Sequence, residues 1–339
     1  MYKTATAILV LMAFAPSSTF ANDSAVLVYR SGLAERDAGR AKAAFDLFQK
    51  AVQLDSTYTE AHRALGATAV AIRRFDVAER SFAKVLESVP DDTLSIVQLA
   101  HLHFNHRRWK QAVQYAKMAL ELQAGTRMNY IVGKSHLELE QYEPSFRYLD
   151  AAYKDEPGNA EIPCLIARGL FDISNFKLSS KYYTEAIALD SSKVAWIYEA
   201  AIAYSSIPDY ATAIGYYELA MAKGYRVDED FIENLSENYV GAGMPEKAIE
   251  WQKSLLEKSP MDQALMFMLA DTYYRAKDYK KAIAQWEQLL MYDNGNARAV
   301  YMIGLAFQKS GDKRKGQAMC NKAIEMDPSL RYYRQVYRW

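Results

Sequence analysis

Residues Thr59–Asp92 read TEAHRALGATAVAIRRFDVAERSFAKVLESVPDD, and the chain is organised around this 34-residue stretch. Leu65 and Gly66 sit side by side in its first half. Phe75, Ala78 and Phe82 follow at i, i+3 and i+7, the spacing of one helical face. Pro90 closes it, because proline cannot continue a helix. Neighbouring windows carry the same residue types at the same offsets. The pattern predicts an all-α array of helix pairs in which each pair buries its apolar face only by stacking on its neighbours.

Working outward, the repeats fall at Ala25–Tyr58, Thr59–Asp92, Thr93–Gly125, Thr126–Asn159, Ala160–Lys193, Val194–Asp228, Glu229–Asp262, Gln263–Asn296 and Ala297–Leu330. The third is one residue short, and Gly224–Asp228 makes a longer joint. The seventh, with an acidic first helix, keeps the pattern least well. Each repeat breaks near its middle, as at Pro208-Asp209, Gly241-Ala242-Gly243, Lys277-Asp278 and Gly311-Asp312, where residues that favour turns and helix ends cluster. Small residues recur at the eighth and twentieth positions, allowing close approach of two helices. Aromatic residues recur at the eleventh, seventeenth and twenty-fourth positions and fill the space around that approach.

This pattern resembles the tetratricopeptide repeat, a 34-residue helix-turn-helix unit. The resemblance covers Ala25–Leu330. It departs from the family at the fourth position, where Val28, His62, Ile96, Ile197 and Val300 stand in place of an aromatic. The resemblance implies an α-solenoid: a right-handed superhelix of antiparallel helix pairs with a concave groove. It also implies that positions two, five, nine and twelve of each first helix line that groove. In this chain those positions include Tyr29, Arg63, His101, Phe104, Arg127, Tyr130, Lys134, Arg168, Phe171, Tyr198, Phe267, Asp271, Tyr274 and Tyr301. Arg63, Arg127, Lys134 and Arg168 make the second to fifth repeats basic; Asp230, Glu233, Glu237 and Asp271 make the seventh and eighth acidic. Tyr and Arg carry much of the binding energy at protein interfaces, so the expected partner is a protein or peptide in the groove. Its acidic part would meet repeats two to five. Position nine holds Lys134 or Arg168 instead of Asn, so the family's clamp for a terminal carboxylate is not expected.

The rest of the chain narrows the function. With 41 basic and 41 acidic residues among 339, the chain is formally neutral. It lacks the basic excess of a nucleic-acid binder. Met1–Ala21 opens with Lys3, continues through the apolar run Ala5–Ala15 and ends in Thr19-Phe20-Ala21. This reads as a secretory signal peptide cleaved before Asn22; the run falls short of the about twenty residues that span a bilayer. No other stretch reads as a membrane span, and the mature chain is expected to be exported, periplasmic or secreted. Cys164 and Cys320 lie four repeats apart, beyond the roughly 7 Å that a disulfide allows, and read as small apolar fillers. His101 and His103 point roughly 200° apart on a helix, so with His106 they do not form a metal site; His103 and His136 fall at the eleventh position, as packing residues. Asn22-Asp23-Ser24 and Asn234-Leu235-Ser236 match the glycosylation acceptor. No phosphate loop, His-Glu-x-x-His or nucleophile elbow is present, and no cofactor is implied. Arg331–Trp339, with Tyr333, Val336 and Tyr337 on one face, reads as a terminal capping helix or an aromatic-basic tail. The expected function is a non-enzymatic protein-interaction scaffold or adaptor in the cell envelope. A component of a polysaccharide-export or cell-wall complex remains an alternative. So does an envelope hydrolase built on carboxylates such as Glu233, Glu237 and Asp271, and so does self-association by end-to-end stacking.

Overall fold

The structure is a computed structural model that describes residues 22–332. The expected signal peptide and Tyr333–Trp339 of the expected terminal segment lie outside the described residues. Among the described residues there are eighteen α-helices, one terminal 3-10 turn over Pro328–Arg331, and no strand. They divide into two compact units, one running to Ala152 and the other starting at Tyr153.

The first unit contains α1 (Asp23–Asp37), α2 (Ala41–Leu54), α3 (Thr59–Ala71), α4 (Phe75–Ser88), α5 (Thr93–Asn105), α6 (Trp109–Glu121), α7 (Met128–Glu138) and most of α8 (Tyr142–Asp155). The second contains α9 (Glu161–Asp172), α10 (Phe176–Leu189), α11 (Val194–Ser205), α12 (Tyr210–Ala222), α13 (Glu229–Gly241), α14 (Pro245–Lys258), α15 (Gln263–Arg275), α16 (Tyr279–Tyr292), α17 (Ala297–Lys309) and α18 (Lys313–Met326).

The turn inside each helix pair is a backbone device more than a glycine device. After α3, the Arg74 amide donates to Ala69 O (2.8 Å) and the Arg73 amide to Val70 O (3.1 Å), while Arg73 adopts φ 60°. This is a Schellman ending, which satisfies carbonyls the helix leaves open. The same pair of bonds follows α1, α5, α7, α9, α13 and α15. Its left-handed residue is glycine at Gly39 and Gly243, but Arg107, Glu140, Ser174 and Lys277 elsewhere. Helix starts are held by Asp92, Asp228, Asp262, Asp278, Asn296 and Asp312, each side chain accepting from an amide three residues on. Satisfying those amides is what makes aspartate and asparagine preferred there.

Packing within each pair rests on the eighth and twenty-fourth positions. Phe48 and Phe82 lie on Gly32 and Gly66 so closely that a Cβ on either glycine would come within 2.6 and 2.8 Å of the ring. Leu149 does the same over Gly133, and Cys320 over Gly304. In the second unit Tyr183, Tyr217 and Trp286 are buried at the twenty-fourth position, with Ala167, Ala201 and Ala270 buried at the eighth. The twentieth position adds hydrogen bonds: Ser145 Oγ donates to Gly133 O (2.9 Å) and Ser179 Oγ to Ala167 O (2.8 Å). The weak pattern of the seventh repeat has a physical counterpart. Its pair is polar, with Gln252 Nε2 donating to Ser236 Oγ at 2.8 Å, both buried.

All five histidines belong to the first unit. His103 stacks on Tyr115 (5.3 Å) and His136 on Tyr148 (6.0 Å), in the packing role expected of them. Burial holds the pKa values of His62, His101, His103 and His136 below the ordinary imidazole value. The folded unit thus favours neutral rings, and the unfolded chain binds more protons once the pH falls below about 6.5. The stability these rings contribute is fully present above that pH and is lost as the pH falls through their folded values. Amide protection factors, which remove the intrinsic slowing of exchange in acid, should therefore fall in α3–α7 between neutral and mildly acidic pH more than in α9–α17; an equal fall in both units would contradict the assignment.

Candidate functional site

In the first unit the expected groove residues divide by environment. Tyr29 is half-buried and packs against Phe48 (5.6 Å) and Tyr58 (5.1 Å). Arg63 is not an open cation: its guanidinium closes on Asp92 at 2.8 Å. His101 is half-buried. Phe104, Tyr130 and Lys134 come together, with the rings 5.9 Å apart and Lys134 Nζ donating to Tyr130 Oη at 3.3 Å. Arg127 stands at the start of α7 with φ 63° and lies 4.5 Å over the Tyr130 ring. Tyr130 itself is only 4% exposed. Its ring belongs to the packing and not to an open surface, because Phe104, Arg127 and Lys134 cover it.

The second unit shows the same division. Arg168 makes a two-pronged ion pair with Glu199, both bonds 2.8 Å. Together with Arg63–Asp92 it neutralises part of the basic stretch expected over repeats two to five. Phe171 packs edge-on against Phe176 (4.9 Å). Tyr198 stacks on Tyr225 (4.3 Å) and on Phe231 (5.6 Å). Tyr274 packs against Tyr279 (5.5 Å) and Trp286 (6.0 Å). Tyr301 is 3% exposed and belongs to the core between α17 and α18, again in place of the groove surface expected for it.

Phe267 and Asp271, by contrast, share a cleft of about 350 Å³ formed by α13, α15 and α17. Its apolar lining is Val240, Ala264, Phe267 and Met268. Phe267 is held from below by Trp286 (6.0 Å) and covered in part by the Arg298 guanidinium, 4.5 Å over the ring. The α13 wall carries Glu229, Glu233 and Glu237; α15 contributes Asp271 and Arg275; α17 contributes Arg298. Arg275 bridges Asp271 (2.8 Å) and Glu237 (3.5 Å). Burial pushes the Asp271 carboxyl above its ordinary range, against the opposing pull of Arg275 and Arg298. The cleft thus holds an internally paired centre with an apolar floor. Glu229 and Glu233 flank it on one side and Arg298 on the other.

Two contributors to this cleft were outside the residues singled out from sequence. Arg298 occupies the second position of its repeat, the rule that flagged Arg127, and so was legible. Arg275 lies one turn beyond Asp271 on α15; its role is visible only once α13 and α15 are side by side. Among the described residues no group of three or more His, Cys, Asp or Glu is arranged to hold a metal ion. Cys164 and Cys320 are both buried, each within the helix packing of its own repeat. No described helix is long and apolar enough to cross a membrane.

Comparison with known proteins places tetratricopeptide repeats at residues 35–96, 235–299 and 297–330. The BBSome complex member BBS4 of Xenopus tropicalis is 27% identical over 118 residues, 34% of this chain and 23% of that protein. Tetratricopeptide repeat protein 21B of Xenopus laevis is 26% identical over 137 residues, 39% of this chain and 10% of that protein. The match thus spans a quarter or less of the length of these two relatives. Among solved structures, the C-terminal part of a repeat-containing protein from Cytophaga hutchinsonii covers 71% of this chain and 98% of its own, at 15% identity and a TM-score of 0.54. That likeness establishes the fold alone: an all-α stack of helix pairs.

Proposed function

We propose that this chain, an all-α stack of helix pairs bearing tetratricopeptide repeats, is a non-enzymatic scaffold or adaptor that holds a segment of a partner protein against its first helices. The observation that carries this reading is the cleft on α13, α15 and α17. An apolar floor with charged walls is how a protein fixes a ligand's depth by burial and its register by polar contacts. Repeat arrays present such surfaces by stacking equivalent helices. That a matched relative is named as a member of a complex agrees with an assembly role.

Phe267 is the anchor of the floor. Phe267→Ala removes its ring from beneath Arg298 while leaving buried Trp286 in place. Truncating a central aromatic contact at an interface typically costs about 2 kcal/mol or more. Affinity of a purified partner, measured by calorimetry, should fall about thirtyfold with this variant. Unchanged affinity would place binding elsewhere on the chain.

We further propose that the protein works in the cell envelope after export. The support is the composition of Met1–Ala21, with its basic start, short apolar run and small-residue end. Amino-terminal sequencing of the protein from a fractionated envelope should begin at Asn22. A chain that retains Met1 and fractionates with the cytoplasm would overturn the location without touching the binding role.

A further inference from the structure

We infer that the α13–α15–α17 cleft selects a partner segment of fixed polarity: a lysine or arginine toward α13, an apolar side chain over Phe267, and an aspartate or glutamate toward α17. This inference rests on the reading of the cleft as the binding surface and names its ligand chemistry. The argument begins with the charges that remain after the cleft's own pairs are counted. Asp271, Arg275 and Glu237 satisfy one another. Glu229 and Glu233, both exposed, make no ion pair within the cleft's network. Arg298 rests on the Phe267 ring, so its guanidinium edge stays open to a carboxylate. A stacked arginine of this kind suits planar two-point recognition of a carboxylate.

The spacing follows from helix packing. Neighbouring helix axes lie about 8–10 Å apart, and an extended chain advances about 3.3 Å per residue. A segment crossing from α13 to α15 thus covers about three residues between its basic and its apolar side chain. Arg298 leans over Phe267, which shortens the second step to about two or three residues. The basic and acidic positions of the ligand should then stand about five or six residues apart, with the apolar residue between them. A ligand of this kind leaves none of the three unmatched charges without a partner. A uniformly acidic segment would be repelled by Glu229 and Glu233, and a uniformly basic one by Arg298; both are selected against by like charge.

The test uses a displayed random dodecapeptide library panned on the immobilised mature chain, Asn22–Trp339. Enriched peptides should share the basic–apolar–acidic order at the stated spacing. The double variant Glu229→Gln with Glu233→Gln, both surface changes, should reduce recovery of those peptides about tenfold or more, the effect of about 1.4 kcal/mol. Arg298→Glu should exchange the acidic preference for a basic one. If peptides are enriched and lost with Phe267→Ala, yet carry no charge pattern and ignore both charge variants, the cleft binds but this selectivity is wrong. If no peptide is enriched that Phe267→Ala loses, the cleft reading itself fails, and the inference with it.

Discussion

Trp286→Ala is expected to destabilise the second compact unit by about 3–5 kcal/mol, the range for emptying a large aromatic site in a core. Trp286 is fully buried, packed among Leu269, Ala270, Ala282 and Met302, and supports both Phe267 and Tyr274. Ala270, the small residue at the eighth position of the same repeat, cannot fill the void. The indole Nε1 is buried without a hydrogen-bond partner. Trp286→Phe should therefore cost much less than the alanine change, because it shrinks the site without breaking a bond. Amide exchange gives the measurement its resolution. Protection should fall in α15–α17 and hold in α3–α5; a loss spread evenly over both units would show that they do not behave as separate bodies.

The second large effect is at Gly304. A Cβ there would lie 2.6 Å from Cys320 Sγ, 2.8 Å from Gly316 O and 2.9 Å from Cys320 N. Two of those atoms are backbone and cannot rotate aside, so α17 and α18 would have to separate. Overpacking of this kind costs about 1–3 kcal/mol, and Gly304→Ala belongs at the upper end of that range. Gly215 is the matching control. It lies in α12 with nothing within 4 Å of its would-be Cβ and no positive φ. Gly215→Ala should stabilise by about 0.5–1 kcal/mol, since glycine in a helix interior is disfavoured by that amount. Urea melts of the two variants should move in opposite directions. Movement in the same direction would mean that the close approach of α17 and α18 is not what fixes glycine at 304.

The helical class, and the mid-repeat breaks at Pro208-Asp209, Gly241-Ala242-Gly243 and Gly311-Asp312, were legible because a 3.6-residue period and a cluster of turn-forming residues are local properties. So was the contact between the eighth and twenty-fourth positions, where Gly66 and Phe82 announce a ring lying on a bare backbone. The chain hid its other turns better. Arg73, Arg107, Glu140 and Ser174 take the left-handed conformation that glycine would ordinarily mark. The stacked pairs force that conformation, and propensity is overruled. The site was legible in part. Phe267 and Asp271 lie where their repeat positions put them. Tyr130 and Tyr301 obey the same rule and are nonetheless buried, because positional rules carry no information on what covers a side chain. Arg63 and Arg168 read as open cations until the structure brings up Asp92 from the end of the same repeat and Glu199 from the next one. Ion pairs of that kind span about thirty residues of sequence and have no local signature.

The most direct test of the account is residue-resolved cross-linking in the cells that make the protein. A photoreactive benzoylphenylalanine would replace Met268, which lines the cleft, and in a second strain Ala318, which is exposed on α18. The account predicts a discrete protein adduct from position 268, absent from position 318 and lost when Glu229 and Glu233 are neutralised. An adduct from 318 with none from 268 would contradict it, and would move the binding surface off the first helices.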